Sequence, residues 1–214
     1  VAGPALSAAA ASPLPPIEAR VATEADLDPI AETMALALHE SPVWTWAFPD
    51  PEARVRAQRG IWRYCFAAAL EYGWAWQVED CAAAALWIPP GKPEMPPEAA
   101  ARFDPFLDEL LGEDSPRVKD MFARFAAAHP VQHGPHYYLN LLATHPDHAG
   151  RGLGKALLAD NLARIDAEGA DAFLETTTPA RNVPLYERFG FVLEGRFPIS
   201  DGGLEVAQMW RPAR

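Results

Sequence analysis

Apolar residues recur along this chain in two rhythms, one of period two and one of three to four, and their alternation outlines the elements. Ile17 to Val21 reads as a first strand. Thr23, followed three residues later by Asp26, resembles a capping box, and the apolar positions after it repeat at helical intervals through Leu38. "HESPVWTWAFPDPEA" breaks that rhythm with three prolines and predicts a loop carrying Trp44, Trp46 and Phe48. The helical pattern returns from Glu52 to Tyr72. "GWAWQVEDCAAAALWIPP" then predicts two short strands joined by a turn near Glu79 and Asp80.

A proline-rich stretch, Gly91 to Pro97, leads into two helical patterns from Pro97 to Ala128, interrupted near "GEDSPR". These are expected to form an insertion covering one side of a sheet. Tyr137 to Thr144 predicts a strand, Gly152 to Glu168 a helix, Ala172 to Thr177 a strand and Val183 to Phe189 a short helix. Phe191 to Arg196 and Leu204 to Trp210 supply the last strands. The order predicts an α+β fold with a mixed sheet. One domain is expected over residues 17–214, behind a disordered leader at 1–16. The leader's alanine tract resembles an export signal but lacks a positive n-region and a strong hydrophobic segment.

Composition narrows the function. The 214 residues suffice for one domain that buries roughly 70% of its unfolded surface. A formal charge of −11 argues against a nucleic-acid backbone as partner and suits a cationic one. No apolar run approaches the ~20 residues of a membrane helix. Cys65 and Cys81 lie in apolar or alanine-rich surroundings, which predicts reduced core thiols in a cytoplasmic protein.

The densest chemical signal is "AGRGLGKA", where Gly150, Gly152 and Gly154 fall at every second position before a helix. Unpaired amides at a helix start attract anions, and glycines let phosphate oxygens approach the backbone. A Walker loop would need Gly in place of Ala149 and Ser or Thr in place of Ala156. A Rossmann fingerprint read from Gly152 would need Gly or Ala in place of Leu157. Both fail, which leaves a diphosphate cradle of a third kind.

Strand "YYLNLLAT", turn and helix "HPDHAGRGLGKALL" and the later "ARNVPLYERFGF" resemble, in order and spacing, the GCN5-related N-acetyltransferase (GNAT) family. Gly152 and Gly154 fall on the glycines of its Q/R-x-x-G-x-G/A signature, while Ala149 replaces the first residue. Within the family, "AFLETTTPARNVPLYERFGF" is similar to the branch that includes puromycin N-acetyltransferase and actinobacterial relatives.

The resemblance implies a central, mostly antiparallel mixed sheet flanked by helices, with the helical insertion between the third and fourth strands. It implies acetyl-coenzyme A as co-substrate and a primary amine on a small molecule as acceptor; by charge and hydropathy no nucleic acid or membrane is expected as a partner. It leaves a homodimer open. Leu142, Ala143 and Thr144 would border the pantetheine arm, with the N–H of Leu142 or its neighbour on the thioester carbonyl. Ala149, Gly150, Arg151, Gly152, Leu153, Gly154 and Lys155 would hold the diphosphate, and Asn182 the pantetheine or diphosphate. Tyr186 would protonate the leaving thiolate. Glu175, His39, Glu40 and His145 are candidate bases, with Glu175 preferred because it follows an apolar strand beside the implied cleft. The acceptor side would hold Glu40, Trp44, Trp46, Phe48 and Trp87. His133 and His136 lack a third ligand, so no metal is expected. A coenzyme A-binding module without turnover is the alternative, and Tyr186 favours the enzyme.

Overall fold

The computed structural model describes residues 13–214, so most of the expected leader, residues 1–12, lies outside the described residues. Seven strands form one sheet in the order β1-β2-β3-β4-β5-β7-β6. They are β1 (Arg20–Val21), β2 (Ala75–Val78), β3 (Ala83–Ile88), β4 (Tyr137–Thr144), β5 (Ala172–Thr176), β6 (Val192–Pro198) and β7 (Glu205–Arg211). Among the described strands, only β4 and β5 pair in parallel. The helices are α1 (Leu27–Leu38), α2 (Pro42–Ala47), α3 (Pro51–Ala69), α4 (Pro97–Leu111), α5 (Ser115–Ala128), α6 (Leu153–Ala167) and α7 (Pro179–Glu187). The insertion between β3 and β4 is therefore helical, as expected.

Strand periodicity divides the core in two. Ala84, Leu86 and Ile88 of β3 join the cluster under α1, α3 and the insertion, while Ala83, Ala85 and Trp87 join the cluster under α6 and α7. All six are buried, so β3 is covered on both faces.

Local chemistry accounts for the entry into α1. Asp26 accepts from the Thr23 backbone N–H and hydroxyl, both at 2.8 Å, and from the Arg20 guanidinium at 2.6 and 2.7 Å. The capping box predicted from Thr23 and Asp26 is present, but it opens a single 3₁₀ turn at Glu24–Asp26 that runs on into α1. Arg20 is the leading reason the Asp26 carboxyl is held well below the usual carboxylate range.

The segment expected as a proline loop is mostly helix. Pro42 stands in the first turn of α2 and Pro51 in the first turn of α3, where a missing N–H costs nothing. Asp50 caps α3 by accepting from the Glu52 and Ala53 amides at 2.9 and 3.2 Å. The buried Arg54 fixes the α2 segment. Its guanidinium donates to the carbonyls of Phe48, His39 and Pro49 at 2.7, 3.0 and 3.1 Å. Bonds of this charge-assisted kind contribute about 1.5–3 kcal/mol each.

Two irregularities of β4 matter for function. Its pairing with β5 covers only Tyr137, Tyr138 and Leu139, so the strand runs on to Thr144 without that neighbour. Against β3, Leu86 faces Leu141 while Trp87 faces Leu139, which makes Asn140 the extra residue of a bulge. The splay and the bulge begin at the same place.

Candidate active site

The splayed end of β4 opens onto two cavities. The first, about 500 Å³, is walled by Leu142, Ala143 and Thr144 of β4, by Ala149 to Lys155 without Arg151, and by Arg181 and Leu185 of α7. The second, about 130 Å³ by the same measure, lies among Trp44, Trp62, Phe122, Phe125, Tyr138, Glu94 and Glu175. Leu38, Leu142, Asn182 and Tyr186 line both. They form the wall at which the cavities meet.

The larger cavity has the features of an anion cradle. Gly150 and Gly152 take φ of +81° and +83°, conformations that side chains disfavour. Ala156 donates to the Gly152 carbonyl as the first full turn of α6, so the amides before it have no acceptor within the helix. A Cβ on Gly154 would stand 2.6 Å from Thr144 Oγ1, so this helix start can approach β4 only with glycine there. Residues 13–16, expected within the leader, include Pro15, whose Cδ would lie 3.2 Å from a Cβ built on Gly152. These residues fit the diphosphate and pantetheine of coenzyme A.

Arg151 departs from its expected role. Its guanidinium pairs with Glu79 at 2.7 and 3.0 Å and lies 2.8 Å from His148 Nδ1, and it does not line the cradle. Glu79, Asp80 and Cys81 all have positive φ, so this ion pair ties the cradle loop to a tight turn. Asn182 lies within α7, which begins at Pro179 rather than Val183, and its Nδ2 donates to Thr176 Oγ1 at 2.8 Å.

At the shared wall, Tyr186 is buried, and burial pushes its phenol up to about 12. It therefore stays protonated at any working pH, though it yields its proton less readily than an ordinary phenol. Glu175 stands on β5, and the Tyr138 hydroxyl donates to its Oε2 at 3.0 Å. Its Oε1 is buried with no partner among the described residues. Burial first, and Glu94 in addition, raise the Glu175 carboxyl to about 8, against the opposing hydrogen bond of Tyr138. A carboxyl in that range can accept a proton near neutral pH.

The acceptor-side expectations fare unevenly. Trp44 lines the smaller cavity, its ring 4.8 Å from Trp62 in a T-shaped contact and 6.3 Å from Phe122. Phe48 is buried, stacked on Trp44 at 6.2 Å, and does not reach the wall. Trp46 lies outside both cavities, under the Arg117 guanidinium. Glu40 borders the cradle instead of the acceptor cavity, its side chain 85% exposed. Trp87 is a correction. It is fully buried on the α6 face, where its indole N–H donates to Asn161 at 2.9 Å.

Of the other candidate bases, His39 meets Glu40 at 3.3 Å, and His145 Nδ1 accepts from the Asp147 amide. Neither lines a cavity. His133 pairs with Glu194 and His136 with the Gly134 carbonyl. Among the described residues, no three His, Cys, Asp or Glu side chains converge on a metal position. Cys65 and Cys81 are buried and free, and no described helix is long and apolar enough to cross a membrane. Sequence reasoning missed Glu94, Asn140, Trp62, Phe122 and Phe125. Phe122 and Phe125 stand three apart on α5, a helical pattern that marks an apolar face but not what it faces.

Residues 35–191, more than half of the chain, match the model of the acetyltransferase (GNAT) family. The chain belongs to that family. By class it is an N-acetyltransferase. A histone acetyltransferase HPA2 and related acetyltransferase from Corynebacterium glutamicum is 26% identical, with a TM-score of 0.66 over 92% of this chain and 97% of that one. A Drosophila melanogaster polyamine N-acetyltransferase shares the fold at 17% identity and a TM-score of 0.63, covering 92% and 100% of the two chains. Arylalkylamine N-acetyltransferase 2 from Aedes aegypti shares it at 13% identity and 0.62, covering 92% and 99%.

Proposed function

We propose that the protein moves an acetyl group from acetyl-coenzyme A directly to a primary amine carried on a small apolar or aromatic body. The observation that carries this reading is the wall of Leu38, Leu142, Asn182 and Tyr186, shared by a glycine-built cradle and an aromatic, acidic cavity. The larger space suits an extended nucleotide arm and the smaller a compact acceptor.

The co-substrate supplies an acetyl thioester; the protein supplies position and protons. Ala149 to Lys155, Arg151 apart, hold the diphosphate through backbone amides, and Asn182 the pantetheine. The Leu142 N–H donates to the thioester carbonyl oxygen, where a placed donor lowers the barrier by ~3 kcal/mol. Glu175 takes the proton of the attacking amine. As the C–N bond forms and the C–S bond breaks, Tyr186 gives its proton to the departing sulfur and regains one from solvent. Trp44, Trp62 and Phe122 bury the acceptor's apolar part, since flat rings stack and attract cations.

The Drosophila and Aedes enzymes, by their names, act on polyamines and arylalkylamines, which supports an amine acceptor here. The aromatic walls favour the arylalkyl kind. Puromycin-like aminonucleosides fit the same chemistry, since "AFLETTTPARNVPLYERFGF" is similar to the puromycin-acetylating branch. Ala149 leaves a second reading, a coenzyme A-binding module without turnover. Thiol release from acetyl-coenzyme A, measured with arylalkylamines, puromycin and polyamines, tests both. Binding of coenzyme A without release for any amine would sink the enzyme reading.

A further inference from the structure

Among the described residues, the smaller cavity is lined by two acidic side chains and no Lys, Arg or His. Of the described side chains lining it, only Glu94 and Glu175 can carry a charge near neutral pH. Among the described residues, no basic side chain is a cause of either carboxyl's shift. Lys92, two residues from Glu94, has its ammonium 5.7 Å from the centre of the Tyr72 ring instead.

Glu94 comes from the proline-rich segment that leads into the insertion, and the β4 bulge holds it. Asn140, the extra residue of that bulge, donates its amide to Glu94 Oε2 at 3.0 Å. Glu94 is exposed as a residue, while the protein packed around its carboxyl raises its pKa and the Asn140 amide opposes that rise. Solvent and the Asn140 amide both favour its charged form. Glu175, its carboxyl raised to about 8 chiefly by burial, is favoured in its charged form by an arriving cation. Its unpartnered Oε1 is an acceptor that a substrate ammonium would satisfy.

Building on the acetyltransferase reading, we propose that Glu94 selects the acceptor by charge, admitting amines that lack a carboxylate and rejecting amino acids. An amino acid carries its carboxylate on the carbon next to the reacting nitrogen. With that nitrogen at Glu175, the carboxylate lies in the same small cavity as Glu94. No cation among the described wall residues compensates it, and like charges at such range in a partly dry site repel strongly.

Three ligands isolate the charge: phenethylamine, phenylalanine and phenylalanine methyl ester. They share ring and amine, and the ester matches the amino acid in shape with the negative charge removed. In the parent, kcat/KM for phenylalanine should fall at least 100-fold below phenethylamine, with the ester close to the amine. Glu94→Gln retains an oxygen for Asn140 and removes only the charge. It should narrow the gap between amine and amino acid at least tenfold and leave the ratio of ester to amine unchanged. Comparing parent with variant cancels the ligands' own ionisation. An equal gap in both proteins overturns the proposal. If no amine is acetylated, the acetyltransferase reading is what fails. Calorimetric binding of the same ligands to parent and variant then decides charge selection alone, with equal affinities for phenethylamine and phenylalanine in the parent overturning it.

Discussion

The Tyr138 hydroxyl donates to Glu175 Oε2 at 3.0 Å, and the other carboxylate oxygen, Oε1, is buried without a partner. One oxygen fixes the carboxyl; the other remains for substrate. Since the free protein holds this carboxyl near 8, kcat/KM for an amine of higher pKa should rise with pH to a limb near 8. Glu175→Gln should abolish the limb and lower kcat by about 10²–10⁴-fold. Glu94→Gln should move the limb to lower pH, because a neighbouring negative charge is removed. A pH–rate profile of the three proteins checks each step, and an unchanged limb in Glu175→Gln would remove Glu175 from the chemistry.

The same carboxyl has an opposite effect on stability. An ordinary Glu releases its proton near 4.5, whereas folded Glu175 keeps it to about 8. Between those values the folded state binds more protons than the unfolded chain, so this group's contribution falls as pH rises and levels off above about 8. Glu175→Gln lacks that titration. Its Tm relative to the parent should therefore climb from pH 5 to pH 8 and stay level at pH 9, as scanning calorimetry can measure.

Part of this site was legible from the residues alone. Gly150, Gly152, Gly154, Asn182 and Tyr186 announce themselves through local sequence, because backbone conformation and helix entry are local properties. Trp87 was misplaced for a physical reason. "AAAALWI" is apolar at every position, so alternation cannot say which face a residue takes in a strand covered on both sides. Arg151 looked free for phosphate because Glu79, 72 residues away in sequence, meets it only in the fold. Glu94 was hidden likewise: a single carboxylate among prolines becomes informative only when Asn140 and Glu175 surround it. The α2 segment misled because prolines at helix starts look like prolines in loops.

Tyr186 has no hydrogen-bonding partner for its hydroxyl among the described residues, so Tyr186→Phe removes no visible internal contact. The variant should keep its Tm within a degree or two and its affinity for coenzyme A. Its kcat should drop about 10²-fold. Equal kcat under conditions where chemistry limits turnover would reduce Tyr186 to a packing role against Phe191, whose ring centre is 5.9 Å away.

Gly154 tests the cradle with less ambiguity than Gly152. Any side chain on Gly152 meets both a φ of +83° and Pro15, so Gly152→Val perturbs the loop as well as the phosphate approach. Gly154 has no positive φ, and its added methyl would meet only Thr144 Oγ1 and Cβ, at 2.6 and 3.9 Å. Gly154→Ala should therefore push α6 away from β4 and weaken coenzyme A binding at least tenfold. Gly154→Ala combined with Thr144→Ala, which removes the obstructing oxygen, should recover much of it. Calorimetric titration of the two variants separates steric displacement from loss of a backbone contact.

Trp44 joins packing and specificity. It is 4% exposed, contacts Trp62, Phe48 and Phe122, and rides on a segment clamped by Arg54. Trp44→Ala should cost about 3–5 kcal/mol of stability, typical for emptying a buried aromatic site. Catalytic loss alone would therefore say little about the acceptor. The informative quantity is the ratio of kcat/KM for an arylalkylamine to that for an aliphatic polyamine, because a general loss of folded protein cancels from it. If the aromatic wall recognises the acceptor's ring, the ratio in the parent exceeds one and falls at least tenfold in Trp44→Ala. Trp44→Phe, which keeps a smaller ring in place, should restore an intermediate ratio with a Tm nearer the parent's. A parent that prefers the polyamine, with a ratio unmoved by either substitution, would leave these rings to the core and the acetyl transfer intact.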